Sequence, residues 1–114
     1  MEFSSVRHIK LGDARQTVPT KDGKPFAPVF RHGSLEVEIF SPKSVDTQKP
    51  HSRDELYLVA AGTGWFFHEG RRLPFAPGDV LFAAAGEVHR FEDFSADFLV
   101  WVVFYGPEGG EHGA

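Results

Sequence analysis

Residues 49–62 read KPHSRDELYLVAAG and residues 78–93 read GDVLFAAAGEVHRFED, and these two stretches decide the fold. In the first stretch, His51 lies four residues before Glu55, where a run of β-forming residues begins. In the second, His89 follows a glycine turn and begins another such run. Imidazole and carboxylate groups are suitable donors for a divalent first-row metal. His51, Glu55 and His89 are therefore candidate ligands, and three protein ligands would leave coordination positions open.

The rest of the chain predicts short strands separated by turns. It contains 12 Phe, 12 Gly and 8 Pro, and aromatic residues favour strands whereas Gly and Pro interrupt them. Residues 35–40 alternate between apolar and acidic side chains, as a half-buried strand does. Residues 65–68 and 71–75 flank Glu69-Gly70 and predict a hairpin with a tight turn. We expect the remaining strands at residues 55–61, 80–82, 88–91 and 98–105. No stretch predicts a helix, so the fold class is all-β, a sandwich or a barrel.

The chain divides into three regions around one core. Residues 1–34 are polar and broken by prolines, which predicts an N-terminal arm with one or two short strands. Residues 35–106 carry the predicted strands of the barrel. Residues 98–105 are apolar on both faces and should lie in the middle of the protein, packed on two sides. Residues 107–114 have nothing to bury, so we expect a flexible tail.

Length and charge exclude several classes of function. A chain of 114 residues forms one domain. A net charge of −4 without a basic stripe argues against nucleic-acid binding. No apolar stretch is long enough to cross a membrane, and residues 1–8 lack the apolar run of a secretory signal. With no cysteine, any metal must be held by His and carboxylates. We therefore expect a cytoplasmic protein.

The first stretch resembles the first motif of the cupin superfamily, which reads G-x5-H-x-H-x3,4-E-x6-G. Here His51-x3-Glu55-x6-Gly62 matches that motif from its second His onward, and Lys49 stands at the position of the first His. An alternative alignment makes His51 the first His and Arg53 the second, but it leaves too few residues before Glu55.

The second stretch resembles the second cupin motif, G-x5-P-x-G-x2-H-x3-N. Here Gly78-x5-Ala84-x-Gly86-x2-His89-x3-Asp93 keeps both glycines and the His, with Ala in place of the proline and Asp in place of the asparagine. The two motifs agree in order and separation with a small single-domain bacterial cupin of the conserved-barrel type. The resemblance implies a jelly-roll barrel, also called a double-stranded β-helix.

The resemblance also implies a metal site made by His51, Glu55 and His89. Lys49 departs from the pattern, because a protonated amine has no lone pair with which to bind a metal. It is then a solvated loop lysine, a catalytic base, or an additional contact to the metal or to a bound substrate. A local bulge would alternatively turn Gln48 inward as an oxygen ligand; otherwise water fills the fourth position. A cupin without metal is the competing interpretation, with His51 and Glu55 as a surface pair and His89 as a core histidine.

Other side chains receive predicted places from strand parity. Tyr57, Phe91 and Trp101 are candidates for the pocket lining, although aromatic residues on strands more often belong to the core. Asp54 should face away from Glu55. The remaining histidines should be exposed and without partners; they are His8, His32, His68 and His112.

The resemblance implies a small metal-binding cupin that is a metal-dependent enzyme, dioxygenase-like or isomerase-like. The cofactor would be Fe, Mn, Ni or Zn, and the substrate a small anionic or oxygen-bearing molecule. No residue is identified as catalytic. The alternative is a non-catalytic small-molecule-binding or sensory cupin with a degenerate metal site. Many cupins pair through their N-terminal arms, so we expect a homodimer.

Overall fold

Eight strands and one short helix make up residues 6–112, the part of the chain that the computed structural model describes. The elements are α1 (Leu11–Arg15), β1 (Phe26–His32), β2 (Leu35–Phe40), β3 (Asp54–Ala61), β4 (Gly64–His68), β5 (Arg71–Phe75), β6 (Val80–Ala83), β7 (His89–Glu92) and β8 (Leu99–Tyr105). The predicted all-β class is confirmed. The short helix α1 was not predicted from the sequence.

The strands form two antiparallel sheets that enclose a core, as in a jelly-roll barrel. The larger sheet has the order β1-β2-β8-β3-β6, and the smaller one has the order β5-β4-β7. Aromatic and branched side chains from both sheets fill the space between them, among them Tyr57, Phe66, Phe91 and Val100, each no more than 2% exposed. As predicted, β8 lies in the middle of its sheet, with one face on this core and the other on a second apolar cluster.

The predicted hairpin is present and sets the register of the smaller sheet. His68 pairs with Arg71 across the turn formed by Glu69 and Gly70, which have φ values of 48° and 85°. Positive φ at both turn residues matches the right-handed twist of the flanking strands. The turn lies close to β7, because His68 also pairs with His89 in the neighbouring strand.

Strand β2 shows the predicted alternation, but its acidic face points into the barrel. Val37 and Ile39 pack into the second cluster, which includes Ala14 of α1 and Leu99. The opposite face carries Glu36, Glu38 and Phe40, which line the internal cavity described below. Helix α1 covers the outer face of β2, so neither face of this strand is left to water alone.

The described part of the N-terminal arm lies against its own barrel. Strand β1 pairs with β2 as the outermost strand of the larger sheet, so the strand within residues 1–34 shares a sheet with the barrel. Residues 1–5 of the predicted arm lie outside the described residues. Within residues 6–112, no helix has the length and apolar character needed to cross a membrane.

The segment after β8, expected from the sequence to be a flexible tail, makes hydrogen bonds to the barrel in residues 109–111. Gly109 N donates a 2.7 Å hydrogen bond to the Ser52 carbonyl, and Glu111 N donates one of 2.8 Å to Asp54 Oδ2. Gly110 is buried beside the same aspartate. The reason is Asp54, a buried acceptor on β3 that the sequence pattern did not connect with residues 107–112. Residues 113–114 of the predicted tail are outside the described part of the chain.

One glycine of the first motif is required by close packing. Gly62 follows β3 with a φ of +89°, and a Cβ atom at this position would lie 2.6 Å from the Phe98 Cα. Both the positive φ and the contact exclude a larger residue. The chain therefore reverses directly against the segment that leads into β8.

Candidate metal centre

Three segments bring the candidate ligands together at one end of the barrel. Glu55 lies on β3 and faces inward with Tyr57 and Val59, as the strand parity predicts. His89 is the first residue of β7 in the smaller sheet, and His51 lies in the loop before β3. The loop before β3 is joined to the loop between β6 and β7, because Gly86 N donates a 2.8 Å hydrogen bond to the His51 carbonyl. The site thus spans both sheets.

The ligand atoms of His51, Glu55 and His89 lie within 4.8 Å of one another. His89 Nε2 is 2.9 Å from Glu55 Oε1, and His51 Nε2 is 3.7 Å from the same oxygen. The side chains of Glu55 and His89 are 2% and 1% exposed, whereas that of His51 is 36% exposed. The site is therefore closed toward the core and open on the side of His51.

The other ring nitrogen of His89 fixes the tautomer of this side chain. His89 Nδ1 lies 2.8 Å from the backbone carbonyl of Glu87, which accepts a hydrogen bond from it. In the neutral ring this arrangement leaves a lone pair on Nε2. A hydrogen bond from the second nitrogen to a carbonyl is the usual support of a metal-ligating histidine.

The residues present fit a divalent cation. Glu55 Oε1 and His89 Nε2 are buried side-chain atoms without a hydrogen-bond partner, although only 2.9 Å separates them. Two acceptors facing each other at this distance repel unless a cation or a proton lies between them. Burial lowers the pKa of His89, but the Glu55 carboxylate and the Glu87 carbonyl outweigh this effect, so its pKa is raised. Both the unpartnered acceptor atoms and the raised pKa of His89 indicate that the site favours a positive charge.

Gln48 takes a fixed position beside the ligands. Its Oε1 atom lies 3.2 Å from His51 Nε2 and accepts a 3.0 Å hydrogen bond from the Tyr57 hydroxyl. Its backbone N and its side-chain Nε2 both donate to Asp46, a buried residue that also accepts a 2.8 Å bond from Phe91 N. Gln48 could be named from the sequence, whereas Asp46, which holds the amide in place, has no signal there.

Lys49, which stands where the first motif His would be, is exposed but borders the same cavity. Arg53, the other residue considered at this point, also lines it. Its guanidinium donates to the backbone carbonyls of Gly106 and Ser34, which hold it at the rim. The first-His position therefore contributes a cation at the cavity edge.

The candidate ligands Glu55 and His51 line a cavity of about 480 Å³ on the inner side of the larger sheet. A volume of this order suits a small molecule. The lining residues are Phe26, Glu36, Glu38, Phe40, Gln48, Lys49, Pro50, His51, Ser52, Arg53, Glu55, Tyr57, Val102 and Phe104. The lining therefore combines apolar side chains from β1, β2, β3 and β8 with polar ones from β2, from the loop of residues 48–53 and from β3.

Two acidic residues of this lining were missed by the sequence analysis. Burial and the neighbouring Glu36 carboxylate raise the pKa of Glu38 to about 7, with a further contribution from Glu55. Glu36 also forms a 2.9 Å ion pair with Arg31 of β1. The alternation of β2 placed both acids on one face, but only the position of α1 shows that this face is the inner one.

The three predicted lining residues have three different places. Tyr57 lines the cavity, and its burial, followed by the nearby Glu55 charge, raises its pKa well above the usual range. Phe91 lies behind Tyr57 in the core, with ring centroids 4.9 Å apart, and does not border the cavity. Trp101 faces the opposite side of β8 and packs in the second cluster with Ile39. Phe104 and Val102, on the other parity of β8, line the cavity instead.

Two other expectations for single residues can be compared with the structure. His68, expected to be without a partner, is half-buried and lies 2.7 Å from Glu87 Oε1. Asp54 does not belong to the ligand group, as expected, and accepts a 3.0 Å hydrogen bond from Ala85 N. Backbone contacts of this kind leave no periodic signal in the sequence.

A family model described as the cupin domain matches residues 36–105. The chain belongs to the cupin family. This cupin is 35% identical over 105 residues to an uncharacterised protein of Streptomyces coelicolor, in an alignment that covers 90% of this chain and 99% of that protein. It is 36% identical over 50 residues to an oxalate-binding protein of Thermotoga maritima. That alignment covers 44% of this chain and 41% of the relative.

A solved structure of a cupin 2 conserved-barrel protein from Salinispora arenicola superposes on this cupin with a TM-score of 0.67. The two chains are 18% identical, and the match covers 89% of this chain and 90% of the other. This likeness supports the barrel fold.

Proposed function

We propose that this cupin is a metal-dependent enzyme that acts on a small anionic or oxygen-bearing molecule. Its metal is Fe, Mn, Ni or Zn, held by His51, Glu55 and His89. The observation that carries the proposal is the pair of buried, unpartnered acceptor atoms Glu55 Oε1 and His89 Nε2, because Glu55 also lines the 480 Å³ cavity. Such atoms are costly in a folded protein unless a ligand uses them.

The bound metal supplies Lewis-acid chemistry or oxygen activation, depending on its identity. The chain's own residues supply binding and orientation. Glu55 provides the negative charge of the ligand set, and the two histidines provide neutral nitrogen donors. Phe40, Val102 and Phe104 form apolar walls that exclude water from the substrate.

Two side chains of the cavity are suited to hold a proton. The Tyr57 hydroxyl, whose pKa is raised, keeps its proton at neutral pH and donates a hydrogen bond to Gln48 Oε1. The Glu38 carboxyl, with its pKa near 7, both accepts and releases a proton in the physiological range. These groups support an isomerase-like reaction as the alternative to a dioxygenase-like one, because isomerisation needs proton transfer.

A binding function is the second candidate, and Lys49 is the observation that favours it. Three protein ligands with a cation at the rim suffice to hold a small anion on the metal without turning it over. The relative in Thermotoga maritima is named an oxalate-binding protein, and we use oxalate as the first ligand to test.

The test combines metal content with two assays of turnover. We expect purified or reconstituted protein to carry about one metal per chain by mass spectrometry, and His51→Ala and His89→Ala to carry little. Oxygen uptake by the Fe(II)-loaded protein is measured against a panel of enols, thiols and carboxylates, and isomerisation of hydroxy-carbonyl compounds is followed by NMR. No turnover, together with thermal stabilisation by oxalate, selects the binding function. A wild type that refuses every metal contradicts both.

A further inference from the structure

We infer that His68 is a positioning residue for the metal ligand His89, acting through Glu87. The inference rests on the proposed metal site, since it concerns how one ligand is prepared for binding. It assigns a role to a histidine outside the cupin motifs. The loop of residues 84–88 carries the effect from one histidine to the other.

The Glu87 side chain closes this loop on itself. Glu87 Oε1 accepts a 2.7 Å hydrogen bond from Ala84 N, and Glu87 N donates a 3.1 Å bond to the Ala84 carbonyl. The loop is therefore a tight turn whose shape depends on where the Glu87 carboxylate lies.

His68 fixes that carboxylate from the neighbouring strand. Its Nε2 atom lies 2.7 Å from Glu87 Oε1, and its ring is stacked on Phe66 with an interplanar angle of 9°. Phe66 is 2% exposed and belongs to the core. A buried aromatic ring thus holds the histidine that holds the loop.

The peptide unit between Glu87 and Val88 connects the ordered loop to His89. Its carbonyl accepts the bond from His89 Nδ1, while its N–H donates a 2.8 Å bond to Glu69 Oε2. Glu69 N in turn donates to the Val88 carbonyl. His68 and Glu69 are adjacent at the end of β4, so this turn holds both the side chain and the main chain of the loop. The orientation of the carbonyl sets which His89 nitrogen carries the proton.

The experiment measures the tautomer of His89 directly, in protein freed of metal with a chelator. Side-chain ¹⁵N NMR at pH 8.5, assigned with His89→Ala, should show a protonated Nδ1 and a bare Nε2 in the wild type. In His68→Phe we expect a mixture of tautomers and an affinity for Zn²⁺ at least about 10-fold weaker. His68→Gln keeps a donor to Glu87 and should restore both properties. His32→Phe, a change at an exposed histidine of β1, is the matched control and should alter neither.

A folded His68→Phe variant with the wild-type tautomer and the wild-type Zn²⁺ affinity overturns the inference. If that variant does not fold, His68→Leu replaces it and is judged by the same two measurements. Failure of the proposed function is a separate result, because a wild type that binds no Zn²⁺ still reports its His89 tautomer. A loss of Tm without a change of tautomer assigns His68 a purely structural role and also contradicts the inference.

Discussion

His89 Nε2 and Glu55 Oε1 face each other at 2.9 Å without the alignment of a hydrogen bond. The carbonyl of Glu87 accepts the hydrogen bond from Nδ1, so the neutral His89 ring turns a lone pair toward a carboxylate oxygen. A proton or a metal ion relieves this repulsion. This pair of atoms therefore links the stability of the protein to metal binding. A substitution that removes the repulsion should stabilise the metal-free protein, but it should also remove the stabilisation that a bound metal gives.

Glu55→Gln should stabilise the metal-free protein and abolish its response to metal. The amide removes a buried charge and is able to donate to His89 Nε2, which we expect to add about 1 kcal/mol to the free energy of unfolding at pH 8. The wild type should gain about 2.7 kcal/mol at a Zn²⁺ concentration 100 times Kd, and the variant nothing. Urea unfolding with and without Zn²⁺ measures both effects. A metal-free variant less stable than the wild type contradicts this account of the pair.

Glu38→Gln should make stability less dependent on pH. The folded pKa of about 7 exceeds the ordinary value of 4.5, so below pH 4.5 the carboxyl is protonated in both states and costs nothing. As pH rises from 4.5 to 7, the unfolded state ionises first and stability falls; above 7 the loss is complete. The variant lacks this loss, so its advantage over the wild type should grow by about 1 to 3 kcal/mol between pH 5 and pH 8, allowing for partial exposure.

Glu36→Gln tests whether the Glu36 carboxylate contributes to the raised pKa of Glu38. It removes the neighbouring carboxylate that helps to raise the pKa of Glu38. The pH dependence should therefore become shallower without disappearing. Chemical unfolding at several pH values separates the three proteins, and parallel curves for all of them would disprove the assignment to Glu38.

Gly110→Ala should destabilise the protein more than Gly109→Ala. Both glycines have a φ of +86°, so the backbone strain of the substitution is the same. A Cβ at position 110 would lie 2.7 Å from Asp54 Oδ1 and 3.1 Å from the Ala85 Cβ, whereas position 109 has nothing within 4 Å. We expect a difference of about 1 to 3 kcal/mol in the free energy of unfolding. Equal losses would mean that residues 107–111 are loose in solution, as the sequence suggested.

The homodimer expected from the resemblance stays a prediction, and an exposed apolar surface gives a place to test it. Leu58, Val80 and Phe82 lie on the outer face of the larger sheet and are 37%, 59% and 45% exposed. A second copy of the chain would cover these side chains. Sedimentation of the wild type should give a dimer, and Phe82→Glu should shift it toward the monomer. A monomeric wild type at high concentration contradicts the prediction.

The strands could be predicted from the sequence, and the candidate ligands could be proposed from it, because both leave local signals. The alternation in β2 and the Glu69-Gly70 turn follow from side-chain period and backbone sterics over a few residues. The candidate ligands His51, Glu55 and His89, which the structure brings together, follow from the two motifs because these give both residue type and order. Such signals need no knowledge of distant contacts.

The remaining features depend on contacts between distant parts of the chain. Strand parity places Glu38 and Ile39 on opposite faces of β2. It does not tell which face lies inside the barrel, because helix α1 covers the outer face and so both faces are partly buried. For the same reason, Trp101 could not be assigned to one side of β8. The contact of His68 with Glu87 and that of Asp54 with Glu111 join residues 19 and 57 positions apart. None of these pairings follows from a periodic pattern.

Strand β2 divides its two tasks between its two faces. Val37 and Ile39 pack against helix α1 on the outer face, and Glu36 and Glu38 line the cavity on the inner face. Substitutions at the acidic positions therefore change the lining of the cavity without changing the apolar face that packs against α1. A search for variants with a new specificity would therefore begin by randomising residues 36 and 38.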